Sequence, residues 1–233
     1  MPSFFFHNIP IGKQRGGAPK SFERRKRCFG RQRKAVMENK VFLNGSITRK
    51  SYDGRTGRLY VGMAVYNRTR NREYVDYPTI IFEGEEAKRM DELIPAVSRG
   101  RTVLAEIVGH LASEDYMRRV RGERNRYERV RRQMILGDTL EIVSSVRPKN
   151  EVALVGEVRN VWRNPAEGKR FYMITLATGQ DTVTTIYFDY KMELEPQVGE
   201  TLKCDAVIHT RTVRDGGRRI TEFSVNAWRV ARV

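Results

Sequence analysis

From residue 39 onward, apolar and polar residues alternate with a period of two through much of the chain, the pattern of strands with one buried face. In Leu59 to Tyr66 the apolar set is Leu59, Val61, Met63 and Val65, while Tyr60, Gly62, Ala64 and Tyr66 share the other face. Runs of this kind predict strands over 40–47, 58–67, 77–84, 101–111 and 133–146. Between the third and fourth, Ala87, Met90, Ile94 and Val97 recur at helical spacing, with Gly100 as a stop and Pro95 placed to kink or shorten the helix. The order then returns in strands predicted over 150–158, 170–179, 181–190, 201–213 and 219–230. Here the middle segment, 191–200, is too short for much helix, and a Gly-Gly turn at 216–217 joins the last two strands.

The opening strand of each set carries the same phrase, Asn39-Lys40-Val41-Phe42-Leu43-Asn44-Gly45 and Asn150-Glu151-Val152-Ala153-Leu154-Val155-Gly156. The repeat predicts a mainly β chain with two copies of one five-stranded unit, over 39–146 and 147–233. Residues 1–38 hold ten Lys and Arg against two Glu with little apolar periodicity, and read as a flexible, disordered basic arm. Its Phe4 to Phe6 triplet is either an anchor for a neighbouring subunit or part of a loose end.

Composition narrows the function. A net charge of +16 favours a polyanionic partner, because neutralising phosphates releases condensed counterions. No apolar run approaches the roughly 18 residues of a membrane span, so no membrane partner is expected. Cys28 and Cys204 lie far apart in unlike contexts, which suggests neither a disulfide framework nor a zinc ribbon and fits a reducing cytoplasm. His7, His110 and His209 are scattered, no Gly-x-Ser-x-Gly or phosphate-cradling Gly-x-x-x-x-Gly-Lys-Ser/Thr pattern occurs, and the acids cluster chiefly over 83–92 on the helix. The expectation is a non-enzyme with no cofactor and no metal.

Two small five-stranded β units, the first with a helix between strands three and four, suggest tandem oligonucleotide-binding (OB) barrels. At the level of motifs, "NKVFLNG", "YVGMAV", "TIIFEG" with the helix, and "VSRGRTVLAEIVGHL" resemble, in that order, the bacterial single-stranded DNA-binding protein family. "NEVALVG", "MITLATG" and "QVGETLKCDAVIHTRT" repeat the likeness, which covers roughly the last four-fifths of the chain. The resemblance implies base stacking by Tyr77, which falls where the family usually carries a tryptophan; Glu83 departs from an aromatic position. That family usually ends in an acidic tail that recruits enzymes, whereas this sequence closes on Asn226 to Val233 without acid, so recruitment by that route is not expected.

Candidate contacts follow from strand faces and charge clusters. In the first unit they are Arg49, Lys50, Tyr52, Arg58, Tyr60, Tyr66, Arg68, Arg70, Arg72 and Tyr77. The segment 114–132 reads as a long Arg-rich loop, a hairpin or a helical excursion, and contributes Arg118, Arg119, Arg121, Arg124, Arg126 and Tyr127 as a phosphate track. In the second unit Phe171 and Tyr187 lie on the face opposite Ile174 and Leu176. Trp162 is placed in a loop among Arg159, Arg163, Lys169 and Arg170, and Trp228 is assigned to packing. Arg211, Arg214, Arg218 and Arg219 form a shorter basic run. Aromatic faces stack unpaired bases and Arg bridges phosphates.

These readings converge on sequence-independent binding and protection of single-stranded DNA in replication, recombination, repair or mobile-element transfer. The chain is expected in the cytoplasm, on the nucleoid, self-associating as a dimer or along the strand. RNA binding is the alternative, with a protein-binding adaptor as a third reading.

Overall fold

The computed structural model describes residues 36–68, 72–98, 102–119, 126–164, 171–179, 182–215 and 218–233. The arm read over 1–38 therefore lies outside the described residues except for its last three, and Phe4 to Phe6 with it. Residues Ala35–Val233 form one compact unit.

Among the described residues, eleven strands make up its sheet. The first half contains β1 (Glu38–Asp53), β2 (Arg58–Arg68), β3 (Glu73–Asp76), β4 (Thr79–Glu83), α1 (Gly84–Leu93), β5 (Val103–Arg119) and β6 (Tyr127–Val143). The second contains β7 (Lys149–Arg163), β8 (Phe171–Ala177), β9 (Val183–Asp189), β10 (Thr201–Asp215) and β11 (Arg218–Arg232). Strand pairing in the first half runs β1–β2–β4–β6–β5 and returns to β1, with β4–β6 parallel and the other pairs antiparallel. The second half repeats the circuit as β7–β8–β9–β11–β10 and back to β7, with β9–β11 parallel. This is the OB strand order, twice.

The inward set read from the sequence holds, although Gly62 and Ala64 on the other face of β2 are buried as well. Leu59, Val61, Met63 and Val65 are all fully buried, as are Ile174 and Leu176. The helix stops at Leu93, before Pro95, and turns Ala87 and Met90 inward. In the second half its place is taken by a single 3-10 turn at Tyr190–Met192.

The repeated phrase is the seam between the halves. Strands β1 and β7 pair antiparallel, and Val41 lies opposite its own repeat equivalent, Val152, so a pseudo-twofold axis passes through that pair. Leu43 and Leu154 are fully buried. Asn39 and Asn150 do the same work in each half. The Asn39 amide donates to the Leu111 carbonyl at 2.7 Å and accepts from its N–H at 2.9 Å. Asn150 does so with Ile208 at 2.8 and 2.9 Å. Each therefore ties its opening strand to the fourth strand of its own ring. The closing glycines permit close approach: a Cβ on Gly45 would lie 2.2 Å from the Ala64 carbonyl oxygen, and one on Gly156 would lie 2.7 Å from that of Ala177.

Four bulges obey the same symmetry. Thr48 on β1 and Arg159 on β7 are the unpaired extra residues of equivalent bulges, and so are Asp138 on β6 and Trp228 on β11. The last overturns the assignment of Trp228 to packing. A bulge re-aims its extra side chain, and Trp228 is 59% exposed. Trp162 also differs from expectation, since it lies on β7, paired with Met173, rather than in a loop. Strand β3 went unread because it is four residues long and ends beside Pro78.

Substituting Gly45 by Ala is expected to lower stability by about 1–3 kcal/mol, the usual cost of forcing extra atoms into a packed site. Gly84→Ala, at an open helix start where φ is +61°, strains the backbone without any clash. Urea denaturation of the two variants separates a close-packing cost from a dihedral one.

Candidate nucleic-acid interface

On one side of the molecule a groove of about 1020 Å³ crosses from the first half to the second. Its first-half wall carries Tyr60, Tyr77, Thr79 and Tyr116, and its second-half wall carries Met173, Tyr187 and Phe223. Arg49, Arg131, Arg132 and Arg211 also line it. Side-chain alternation builds this surface: Tyr60 stands on the face of β2 opposite the fully buried Leu59 and Val61, and Tyr187 stands on β9 between buried Ile186 and Phe188.

Gly62, two residues beyond Tyr60, leaves room for the Arg49 side chain, whose Cγ would be 2.7 Å from a Cβ placed there. Arg49 crosses that gap and donates to the Thr79 hydroxyl at 3.0 Å. Its guanidinium is thus held beside the aromatic face instead of sweeping through solvent.

The second half adds an aromatic run. The Trp162 and Phe171 ring centroids are 5.8 Å apart, and those of Phe171 and Tyr187 are 6.0 Å apart, both pairs tilted. Trp162 is 43% exposed at the outer end of the run.

The structure thus gathers Arg49, Tyr60, Tyr77, Tyr187 and Arg211 into the groove, with Phe171 and Trp162 continuing from it. Other candidates are placed elsewhere. The Lys50 ammonium donates to the carbonyls of Asp91 and Ile94 at 2.6 and 2.9 Å and pairs with the Asp91 carboxylate at 3.0 Å, closing the C-terminal end of α1. Arg58 sits between Glu83 at 2.8 Å and Glu114 at 3.2 Å. Arg159 pairs with Glu157 at 3.1 Å. Arg163 pairs with Glu195 and lies over the Tyr172 ring, 5.4 Å from its centroid. Tyr52 and Tyr66 are exposed away from the groove, and Arg72 is exposed beside β3.

Of the readings offered for the Arg-rich segment over 114–132, the hairpin is the one that forms: β5 and β6 extend as one long hairpin whose register runs out to Arg119 opposite Tyr127. Arg126 and Tyr127 lie exposed near its tip. Strand β5 carries Arg118 and Arg119, β2 ends at Arg68, and β10 and β11 carry Arg214, Arg218 and Arg219. Arg70, Arg121, Arg124, Lys169 and Arg170 lie outside the described residues.

Tyr116, Arg131, Arg132 and Phe223 line the groove but escaped the sequence reading. For Tyr116 and Arg132 the signal was strand parity: once 113–119 and 127–133 are read as paired strands, Tyr116 lies opposite Val130 and Arg132 opposite Glu114, on one face. Asp115 organises that stretch by accepting from Arg129 at 2.5 Å and Arg131 at 2.9 Å across the hairpin. The Arg131 hydrogen bond, with Arg129 beside it, holds the Asp115 carboxyl below its ordinary value of 3.8.

Two ties hold the groove walls in register across the seam. On one side Asp76, at the end of β3 and only 3% exposed, accepts from the Thr210 N–H at 2.6 Å, the Thr210 hydroxyl at 3.0 Å and the Asn67 amide at 2.9 Å. His209 Nδ1 lies 3.3 Å from the same carboxylate, and the Tyr74 ring packs 5.1 Å from the His209 ring. The Tyr77 N–H then donates to the Thr210 hydroxyl at 2.8 Å, which seats this tyrosine directly on the second half. On the other side the Thr185 N–H donates to the Gln133 side-chain oxygen at 3.1 Å. Among the described residues no group of three His, Cys, Asp or Glu side chains is placed to hold a metal ion, and no helix is long and apolar enough to cross a membrane.

No protein-family model and no curated protein matches the sequence. Solved structures do match the fold. A deletion mutant of the single-stranded DNA binding protein from Thermus aquaticus superposes with a TM-score of 0.61 at 19% identity, over 86% of this chain and 96% of that one. The wild-type Thermus aquaticus protein gives 0.59 at 18% identity, over 85% and 94%. Both halves are therefore matched in one chain. The expected likeness to bacterial single-stranded DNA-binding proteins holds at the level of the fold.

Asp76→Ala leaves the Thr210 N–H, the Asn67 amide and His209 without their buried acceptor. A loss of at least about 1–3 kcal/mol is expected, the cost of one unsatisfied buried group, read as a lower urea midpoint at unchanged slope. A separate expectation concerns pH. Because Asp115 is depressed, its ion pairs persist from neutral pH past 3.8 and break only as pH falls through the lowered value. Carboxyl chemical shifts of Asp115 followed by NMR locate that midpoint.

Proposed function

We propose that this protein binds single-stranded nucleic acid, and specifically single-stranded DNA, along the groove that crosses both halves. The observation that carries this reading is the combination of partly or fully exposed aromatic side chains with guanidinium groups lining one concave surface. Tyr60, Tyr77 and Tyr187 supply stacking platforms for unpaired bases, and Arg49, Arg131, Arg132 and Arg211 stand within reach of a backbone that threads between them. Duplex DNA hides its base faces and gains nothing from such platforms. The matched structures are of single-stranded DNA binding proteins, which supports the same reading.

The action is stoichiometric rather than catalytic: the chain covers the strand, blocks reannealing and shields it during replication, recombination, repair or mobile-element transfer, in the cytoplasm. The basic arm over 1–38 adds phosphate contacts, and self-association as a dimer or along the strand extends the cover. The units over 39–146 and 147–233 act as one binding body, because the groove lies across both.

Fluorescence anisotropy with single-stranded DNA, single-stranded RNA and duplex DNA of one length, each at two salt concentrations, tests the proposal. Tight binding to single-stranded DNA that weakens steeply with salt is expected. Tyr60→Ala and Tyr187→Ala are each expected to cost about 1–3 kcal/mol, roughly 5- to 150-fold in Kd, while Trp228→Ala leaves Kd unchanged. Equal affinity for duplex would overturn the stacking mechanism in favour of simple charge attraction, and preference for RNA would reassign the ligand.

A further inference from the structure

At its second-half end the groove adjoins a depression of about 450 Å³. Phe171, Tyr187 and Phe223 form its apolar walls, and Asp189, Ser224 and Asn226 contribute polar groups. Register explains the assembly. Asp189 lies opposite Phe171 across the β8–β9 pair and two residues beyond Tyr187, on the same face. Asn226 lies alongside Tyr187 in the parallel β9–β11 contact, with Ser224 two residues before it on its face.

The chemistry of this depression differs from that of the rest of the groove. Among the described residues the one cation lining it, Arg211, is held by Glu222 through two hydrogen bonds of 3.0 and 3.3 Å. The Asp189 carboxylate repels phosphate. Its orientation is set, because Oδ1 accepts the Lys191 N–H at 2.9 Å, leaving the second oxygen as an acceptor. Among the described residues the Asn226 amide and the Ser224 hydroxyl have no hydrogen-bond partner. Aromatic walls with an acceptor and an unpaired amide suit a flat, uncharged ring whose edge carries N–H donors. Cytosine, adenine and guanine each present an exocyclic or ring donor set to a carboxylate, whereas thymine presents carbonyl oxygens around a single N–H.

We propose that this depression is a base-selective subsite that takes one unstacked nucleobase bearing an exocyclic amine, with Asp189 as its specificity-determining residue. The proposal rests on the single-stranded DNA reading of the groove and deepens it: elsewhere the groove stacks any base, and here it reads one.

The test compares the full-length chain with oligo(dC) and oligo(dT) of equal length at one salt concentration and pH 7.5. Both are weakly self-stacked pyrimidine strands, so the amine is the main variable. Wild type is expected to favour dC. Asp189→Asn keeps an acceptor for the Lys191 N–H but turns the other position into a donor, and is expected to shift the dC-to-dT affinity ratio toward dT by roughly tenfold, within the range of a base contact. Asn226→Ala, which leaves the Asp189 cap untouched, is expected to lower the same ratio if Asp189→Asn proves unstable in a thermal melt. An identical ratio in wild type and both variants, with tight binding of both strands, would overturn the subsite while leaving the groove reading intact. Failure of wild type to bind either strand would overturn the groove reading and the subsite with it.

Discussion

The antiparallel pairing of β1 with β7 is the constraint from which the rest of the molecule follows. A strand at the edge of a sheet exposes a row of unpaired N–H and C=O groups and invites further pairing. Here each half covers that row on the other, and Val41 against Val152 sets the axis. The pairing also explains why the chain repeats one phrase. In both copies the asparagine locks the opening strand to the fourth strand, the buried leucine enters the core, and the glycine lets the second strand's carbonyl approach. A substitution on one side of this seam therefore perturbs both rings, because a single cluster of buried apolar residues extends through the two halves.

Around that axis the halves have diverged where the axis does not constrain them. The first half keeps a ten-residue helix, which Lys50 secures at its C-terminal end, and extends its fourth and fifth strands into a long hairpin. The second half reduces the helix to a 3-10 turn and uses the space at that end for aromatic side chains, Phe171, Tyr187 and Tyr190 among them. Where the two meet, the polar ties of Asp76 and Gln133 fall on groove-lining residues, Thr210 and Thr185. The surface that is proposed to meet the strand is therefore built partly from the bonds that join the halves. Rigidity of the seam and shape of the groove are one property.

Strand alternation made most of this legible in the sequence. A half-buried strand must place one residue in two inside, so the inward set of β2 and the outward tyrosines could be read without coordinates. The helix ended where Pro95 required. What escaped was set by tertiary polar contacts or by register slips. Strand β3 exists because Asp76 is anchored by Thr210 and Asn67, partners 134 and 9 residues away. Trp228 looks like one more alternating apolar residue until the bulge opposite Asp205 and Ala206 turns it out. Arg131 and Arg132 sit in a segment whose charge dominates its weak alternation, so a hairpin could not be told from a helical excursion there and these two groove cations had no assigned face. Lys50 and Arg58 fail in the opposite sense: each is a cation on a strand, yet each already has carbonyl or carboxylate partners in the fold.

That last point bears on how charge works here. The formal excess of +16 overstates what the folded body offers a polyanion, and half of it lies in residues 1–38. Within the body Arg58 faces two carboxylates, Arg129 and Arg131 share Asp115, and Arg211 is bound by Glu222. A phosphate arriving at Arg131 or Arg211 must displace or share a partner already present, so the net gain is smaller than that of an unpaired guanidinium. The same pairs hold these side chains in position, which reduces the conformational entropy lost on contact. Directional contacts in the groove are thus obtained at the expense of raw attraction. In the proposed function, long-range attraction falls largely to the arm, and discrimination between a single strand and a duplex falls to the aromatic faces.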